Sequence, residues 1–101
     1  MKTPLVHVGA GTLASRSVAA PLRLRVDALA TKGRVRLDFR QVAAVSPSFA
    51  DELFGVLVRA HGIEWIFERL LLVGATDSVL RDIAFALTER QRGFSEDHRA
   101  Q

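Results

Sequence analysis

At 101 residues the chain is long enough for one hydrophobic core and too short for two, and with 49% hydrophobic and 25% charged residues it is composed like a globular domain, not a disordered one. It has no cysteine, which excludes disulfides, thiolate catalysis and cysteine metal sites, and no apolar run near the roughly 20 residues of a membrane helix. The net charge of +3 and a pI near 10.6 reflect arginine richness, but the arginines are scattered among acidic neighbours, which marks a solvated surface more than a nucleic-acid footprint. The N-terminus lacks the apolar core of a secretory signal, so the expectation is a soluble, cytoplasmic protein.

Leu5 to Gly9 is a short apolar run ending in glycine, which suits a first strand, and Gly9 to Gly11 is then a turn. From Leu13 to Lys32, Val18, Leu22, Val26 and Leu29 recur at spacings of four, four and three and predict an amphipathic helix. Pro21 allows two starts: at Pro21 itself, in the first turn, or near Ser15 to Ser17 with a local distortion, which we favour. Lys32 and Gly33 supply a cation and a glycine at its end.

The most informative stretch is Arg34 to Gly55. Val35, Leu37 and Phe39 alternate with Arg34, Arg36, Asp38 and Arg40, the pattern of a strand with one buried and one wet face. After Val42 and Val45 come Ser46, Pro47 and Ser48, which carry helix-start chemistry. Either Ser46 caps with Pro47 as first helical residue, or Ser48 and Asp51 form a capping box. Phe49, Leu53, Val56, Leu57 and Ala60 then form a helical stripe that His61 and Gly62 close.

Ile63, Trp65 and Phe67 alternate with Glu64, Ile66 and Glu68 and read as a short strand or an extended connector, and Leu70 to Val73, apolar throughout, reads as an interior strand. Thr76 or Asp77 caps a last helix with Val79, Ile83, Ala86 and Leu87 buried and Leu80 and Ala84 beside them. Gln91 to Gly93 ends it, which leaves one domain over 1–93 and a polar, frayed tail over 94–101. Alternating strands and helices predict an α/β fold, and the shared side of Arg34, Arg36, Asp38 and Arg40 predicts helices mainly on one face of the sheet.

The run Val35 to Val42, followed by Ser46 to Gly55, resembles a small bacterial family described as STAS-like domains of unknown function, distant relatives of the sulphate-transporter and anti-sigma-antagonist domain. Gly11 to Arg16 also resembles the family's glycine, short gap and Ser-Arg at the first helix, and the likeness runs from about Val6 to Arg90. It implies a mixed sheet of about four strands with helices on one side. In the anti-sigma-antagonist relatives the turn into the second helix carries an Asp-Ser-Ser-Gly motif with a phosphorylated serine. Here Ser46 stands at the aspartate, Pro47 at the usual acceptor, Ser48 at the next serine and Phe49 at the glycine, so phosphoregulation does not carry over directly.

Several residues are candidates for function. Ser46, Ser48, Asp51, Glu52 and Arg16 are expected to form a partner-binding turn, with Ser48 a substitute phosphoacceptor and Arg16 also able to pair with Asp38 or Asp51. The resemblance implies a histidine-kinase-like ATPase or sigma-factor regulator as protein partner. Arg34, Arg36 and Arg40 offer an alternative nucleic-acid contact, and the same face a homodimer interface. His7, His61 and His98 are far apart, no catalytic elbow or metal-ligand spacing is visible, and Phe39, Phe49, Phe54 and Phe85 fall on core or helix faces. The sequence thus predicts a non-catalytic interaction module without cofactor or metal, and no contact with membranes.

Overall fold

In the computed structural model, which describes residues 3–99 and the side chains of residues 3–92, the strand predicted over Arg34 to Arg40 is broken in two. β3 (Val35–Asp38) stops at its aspartate, and β4 (Val42–Val45) resumes after a turn. Asp38 makes the break: its Oδ1 accepts the backbone N–H of Arg40 at 3.0 Å and the Arg40 Nε–H at 2.9 Å, while Oδ2 accepts from the other end of that guanidinium at 2.9 Å. An aspartate that takes the N–H two residues on closes its own turn.

The N-terminal strand breaks at the same level. β1 (Leu5–His7) gives way to β2 (Gly11–Leu13) across Gly9 and Gly11, whose φ angles of 153° and 69° lie where glycine alone is comfortable. β1 pairs with β3 and β2 with β4, both parallel, and β3 pairs parallel with β5 (Leu70–Val73). The expected mixed sheet of about four strands is therefore two small parallel sheets, ordered β1-β3-β5 and β2-β4. Parallel pairing follows from the long helical connection between each pair of partners. Leu70 to Val73, expected in the interior, lies at the edge of that order, and Leu71 is 58% exposed because helices cover one face of the sheet only.

α1 (Arg16–Ala30) starts where the favoured reading puts it: the Ser15 hydroxyl accepts the Ser17 N–H at 3.1 Å, and Pro21 is carried inside on an exposed position. Ala19, Val26 and Ala30 are buried, Leu22 and Leu29 are half-buried, and Val18 faces solvent. The cation at its C-terminus is not Lys32 but Arg69, which donates to the carbonyls of Ala30 and Thr31.

The second helical unit comprises α2 (Pro47–Ala50), a π-helical turn (Asp51–Gly55) and α3 (Val56–His61). Its buried residues come in pairs, Phe49 with Ala50, Leu53 with Phe54, and Leu57 with Val58, four residues apart. An α-helix turns in about 3.6 residues, so a four-residue repeat drifts off the core unless a wider turn absorbs the excess, and the π turn is that correction. Val56 is consequently only half-buried and Ala60 exposed, where the simple helical stripe predicted both inside.

Gly62, with φ of 91°, ends α3, and residues 63–69 form neither strand nor connector but α4 (Ile63–Arg69). Ile63, Ile66 and Leu70 pack on the core at spacings of three and four, while Phe67, part of the misleading alternation, is 72% exposed. α5 (Asp77–Arg99) begins with the Thr76 hydroxyl accepting the Val79 N–H at 3.2 Å. It buries Val79, Ile83, Ala86 and Leu87, leaves Leu80 exposed, and continues through the stop expected at Gln91 to Gly93. Residues 100 and 101, the end of the expected frayed segment, and the side chains from 93 on lie outside what the structure describes.

Helices do cover one face. Val6, Val35 and Leu37 are fully buried beneath them, whereas Leu5, Arg36 and Leu71 lie in register across the other, open face. No helix among the described residues is long and apolar enough to cross a membrane.

The shifted register of the central unit predicts unequal costs of truncation. Phe54→Ala should lose about 3–5 kcal/mol in denaturant unfolding, and Val56→Ala about 1 kcal/mol or less. Equal losses would mean an unbroken α-helix.

Candidate functional site

The turn between β4 and α2 is where the sequence placed the site, and the cap decides which of its groups are available. Ser46 is the cap: its Oγ accepts the Phe49 N–H at 3.0 Å and donates to the Ala14 carbonyl at 2.8 Å, and its N–H donates to the Leu13 carbonyl at 2.8 Å. That hydroxyl is committed to holding β2 against the start of α2. Pro47 and Ser48 are exposed, and the Ser48 hydroxyl is the one on this turn that faces solvent. The alternative capping box of Ser48 and Asp51 does not form, because Asp51 points elsewhere.

Asp51 opens the π turn and lies between two guanidinium groups. Arg90 of α5 donates to it from both Nε, at 2.7 Å to Oδ1, and a terminal nitrogen, at 2.9 Å to Oδ2; Arg16 of α1 adds a third bond at 2.8 Å to Oδ2. Such forked, charge-assisted contacts are the strongest hydrogen bonds a carboxylate makes. The two Arg90 bonds first, then the one from Arg16, hold the Asp51 carboxyl down at about 2, against a burial that alone would raise it. Both arginines are pushed up in turn. Glu52, next along, accepts from Arg23 Nε at 3.1 Å and lies 3.6 Å from Arg16.

This cluster fixes α1, the π turn and α5 to one another. It also needs Gly55, since a Cβ there would sit 2.3 Å from Asp51 Oδ1 and 2.8 Å from the Arg90 side chain. Of the five residues expected to contact a partner, Ser46, Asp51 and Glu52 are thus occupied within the fold, Arg16 is paired but half-exposed, and Ser48 faces outward. Asp51 pairs with Arg16, one of the two carboxylates foreseen for it; Asp38 is taken by Arg40.

Beside Ser48 opens a cleft of about 220 Å³. Pro47, Ser48 and Arg16 form one side, and Asp82, Phe85 and Glu89 of α5 the other. Phe85, assigned from the sequence to a core or helix face, is 63% exposed here. The α5 residues were missed, although a signal was present: 82, 85 and 89 recur at three and four, a second stripe next to the buried one of 79, 83, 86 and 87.

The three arginines of the wet face are not a common cationic surface. Arg40 clamps Asp38, whose carboxyl its hydrogen bonds hold well below the ordinary carboxylate range, and its side chain lies against Gly74, where a Cβ would meet it at 2.3 Å. Arg36 donates to the Thr3 carbonyl at 3.0 Å. Of the three, Arg34 alone makes no hydrogen bond or ion pair with its side chain among the described residues, and it is exposed. No group of three or more His, Cys, Asp or Glu side chains gathers among the described residues.

Small parallel sheets with helices over one face, and a serine-capped helix presented at a strand end, make an α/β domain. Residues 18–80 match the family described as STAS-like domain of unknown function, and the chain belongs to that family. Comparisons with curated proteins and with solved structures found no match.

Two outcomes follow from the cluster. Gly55→Ala should destabilise the fold by about 1–3 kcal/mol in denaturant unfolding, because the added methyl displaces a carboxylate that two arginines hold. In acid, a carboxyl lowered from 3.8 to about 2 contributes its stability above the unfolded value and loses it as pH falls from about 4 to 2. Given its partial exposure, the natural chain should lose about 1 kcal/mol more stability over that window than Asp51→Asn, in which the Asp38 carboxyl remains lowered.

Proposed function

We propose that the protein is a non-catalytic module that binds another protein through the exposed start of α2 and the cleft beside it. One observation carries this reading: Ser48, in the first turn of α2, opens onto a cleft whose far wall presents Phe85 at 63% exposure. An aromatic left largely in water beside a rigid, capped helix start is the kind of anchor protein interfaces are built on. On this reading the partner is a histidine-kinase-like ATPase or a sigma-factor regulator and the mode of action partner switching, supported by the resemblance of the sequence to anti-sigma antagonists; the matched family itself is described as of unknown function. Ser48 is the hydroxyl that a kinase could reach on this turn, since Ser46 is bonded on both sides.

The alternative reading, nucleic-acid binding on the arginine face, has less support, because Arg40 is clamped on Asp38, while Arg36 gives one donor to the Thr3 carbonyl and keeps its Nε buried, without a hydrogen-bond partner among the described residues. Because Arg16 and Arg90 hold Asp51 within the fold, substituting it would break the ion cluster, and exposed positions serve better as probes of docking.

A photo-crosslinking residue placed at position 48 in the native host should give a discrete adduct with one protein, identified by mass spectrometry. Reconstituted from purified components, binding to that protein should fall at least about tenfold in Ser48→Lys and in Phe85→Ser, the loss of about 1.4 kcal/mol expected of an interface anchor. Binding unaffected by both substitutions would refute the reading.

A further inference from the structure

The cleft also carries information about what fills it. On α5, Asp82, Phe85, Ala86 and Glu89 follow one another at i, i+3, i+4 and i+7, so they form a single stripe along the helix, apolar in the middle and acidic at both ends. Asp82 and Glu89 are exposed. Glu89 has only a long contact of 3.8 Å to Arg92, itself exposed, and Asp82 has no ion pair among the described residues. The opposing positive charge, Arg16, is already shared between Asp51 and Glu52. In a chain of net charge +3, this stripe is therefore a local acidic pair about two helical turns apart with an uncovered phenyl ring between them.

We infer that the cleft takes a basic amphipathic helix of the partner protein, with one large apolar side chain set against Phe85 and Pro47 and lysine or arginine residues flanking it to meet Asp82 and Glu89. This inference rests on the docking reading above and adds the chemistry of the occupant. Complementary charges at the ends of a groove set orientation and rate of encounter more than raw affinity, and the buried ring supplies the anchor.

The test uses two synthetic helical peptides of about 15 residues, the length at which an isolated helix begins to hold in water. Both carry the same leucine stripe; one has lysines and the other glutamates at the flanking positions. Fluorescence anisotropy against the full chain should show the lysine peptide bound more tightly, with affinity falling as salt is added. The double variant Asp82→Lys/Glu89→Lys, its fold checked by circular dichroism, should bind the lysine peptide roughly tenfold less tightly and invert the preference. Phe85→Ser should weaken both peptides.

Tighter binding of the glutamate peptide, still dependent on Phe85, would overturn the inference while leaving the docking reading in place. Failure of both peptides to bind would overturn the inference, and the position-48 crosslink would then decide the docking reading by itself. A dimer in sedimentation that Phe85→Ser dissolves would give the cleft to a second copy and overturn it as well.

Discussion

One carboxylate between two guanidinium groups organises the helical layer. Asp51 sits where the central helix widens, and through it Arg90 reaches across from α5 and Arg16 from α1. Around this point the helices have little freedom to slide, because forked hydrogen bonds specify direction as well as distance. Apolar packing below supplies the bulk of the stability: Phe49, Leu53, Phe54 and Leu57 are buried against the sheet side of the molecule together with Val26, Leu37 and Val79. The ion cluster adds registry to that core. The widened turn and the clamp belong together, since the four-residue repeat of buried pairs needs the extra residue and Gly55 makes room for the carboxylate that holds it.

A second aspartate plays the equivalent part in the sheet. Asp38 ends β3 by bonding the backbone and side chain of Arg40, and that turn sends the chain from the three-stranded sheet into the two-stranded one. Val42 to Val45 then pair with Gly11 to Leu13 and deliver Ser46 to the Ala14 carbonyl. The exposed position of Ser48 is thus the end of a chain of causes that begins with an aspartate ten residues earlier. A rigid frame around an open first helical turn suits a docking surface, which loses less entropy on binding when it is ordered beforehand.

The sequence made much of this legible. Alternation from Val35 to Phe39 marked a strand and its buried side, although Asp38, expected on the wet side, is buried in its pairing with Arg40, and Ser15 and Ser46 marked two helix starts, because capping is a local matter written in one or two residues. The buried face of α5 was readable for the same reason: Val79, Ile83, Ala86 and Leu87 keep a regular helical spacing. What was not legible depended on contacts between distant residues or on irregular backbone. The division into two sheets turned on a side-chain bond inside the Asp38 turn. Trp65 and Phe67 alternated like a strand while Ile63 and Ile66 chose the helix. The candidate site was half legible: the turn could be found from its serines, but Arg90, which neutralises Asp51, and Phe85, which lines the cleft, lie more than thirty residues away in sequence.

The central claim is that Asp51 and Arg90 act as one unit that locks the wide turn in place beneath the open one. A double-mutant cycle with Asp51→Asn and Arg90→Gln, read by denaturant unfolding at neutral pH, measures that coupling directly. The account predicts an interaction of about 1 kcal/mol, well outside the roughly 0.3–0.5 kcal/mol within which independent sites add. Additive single and double losses would contradict it.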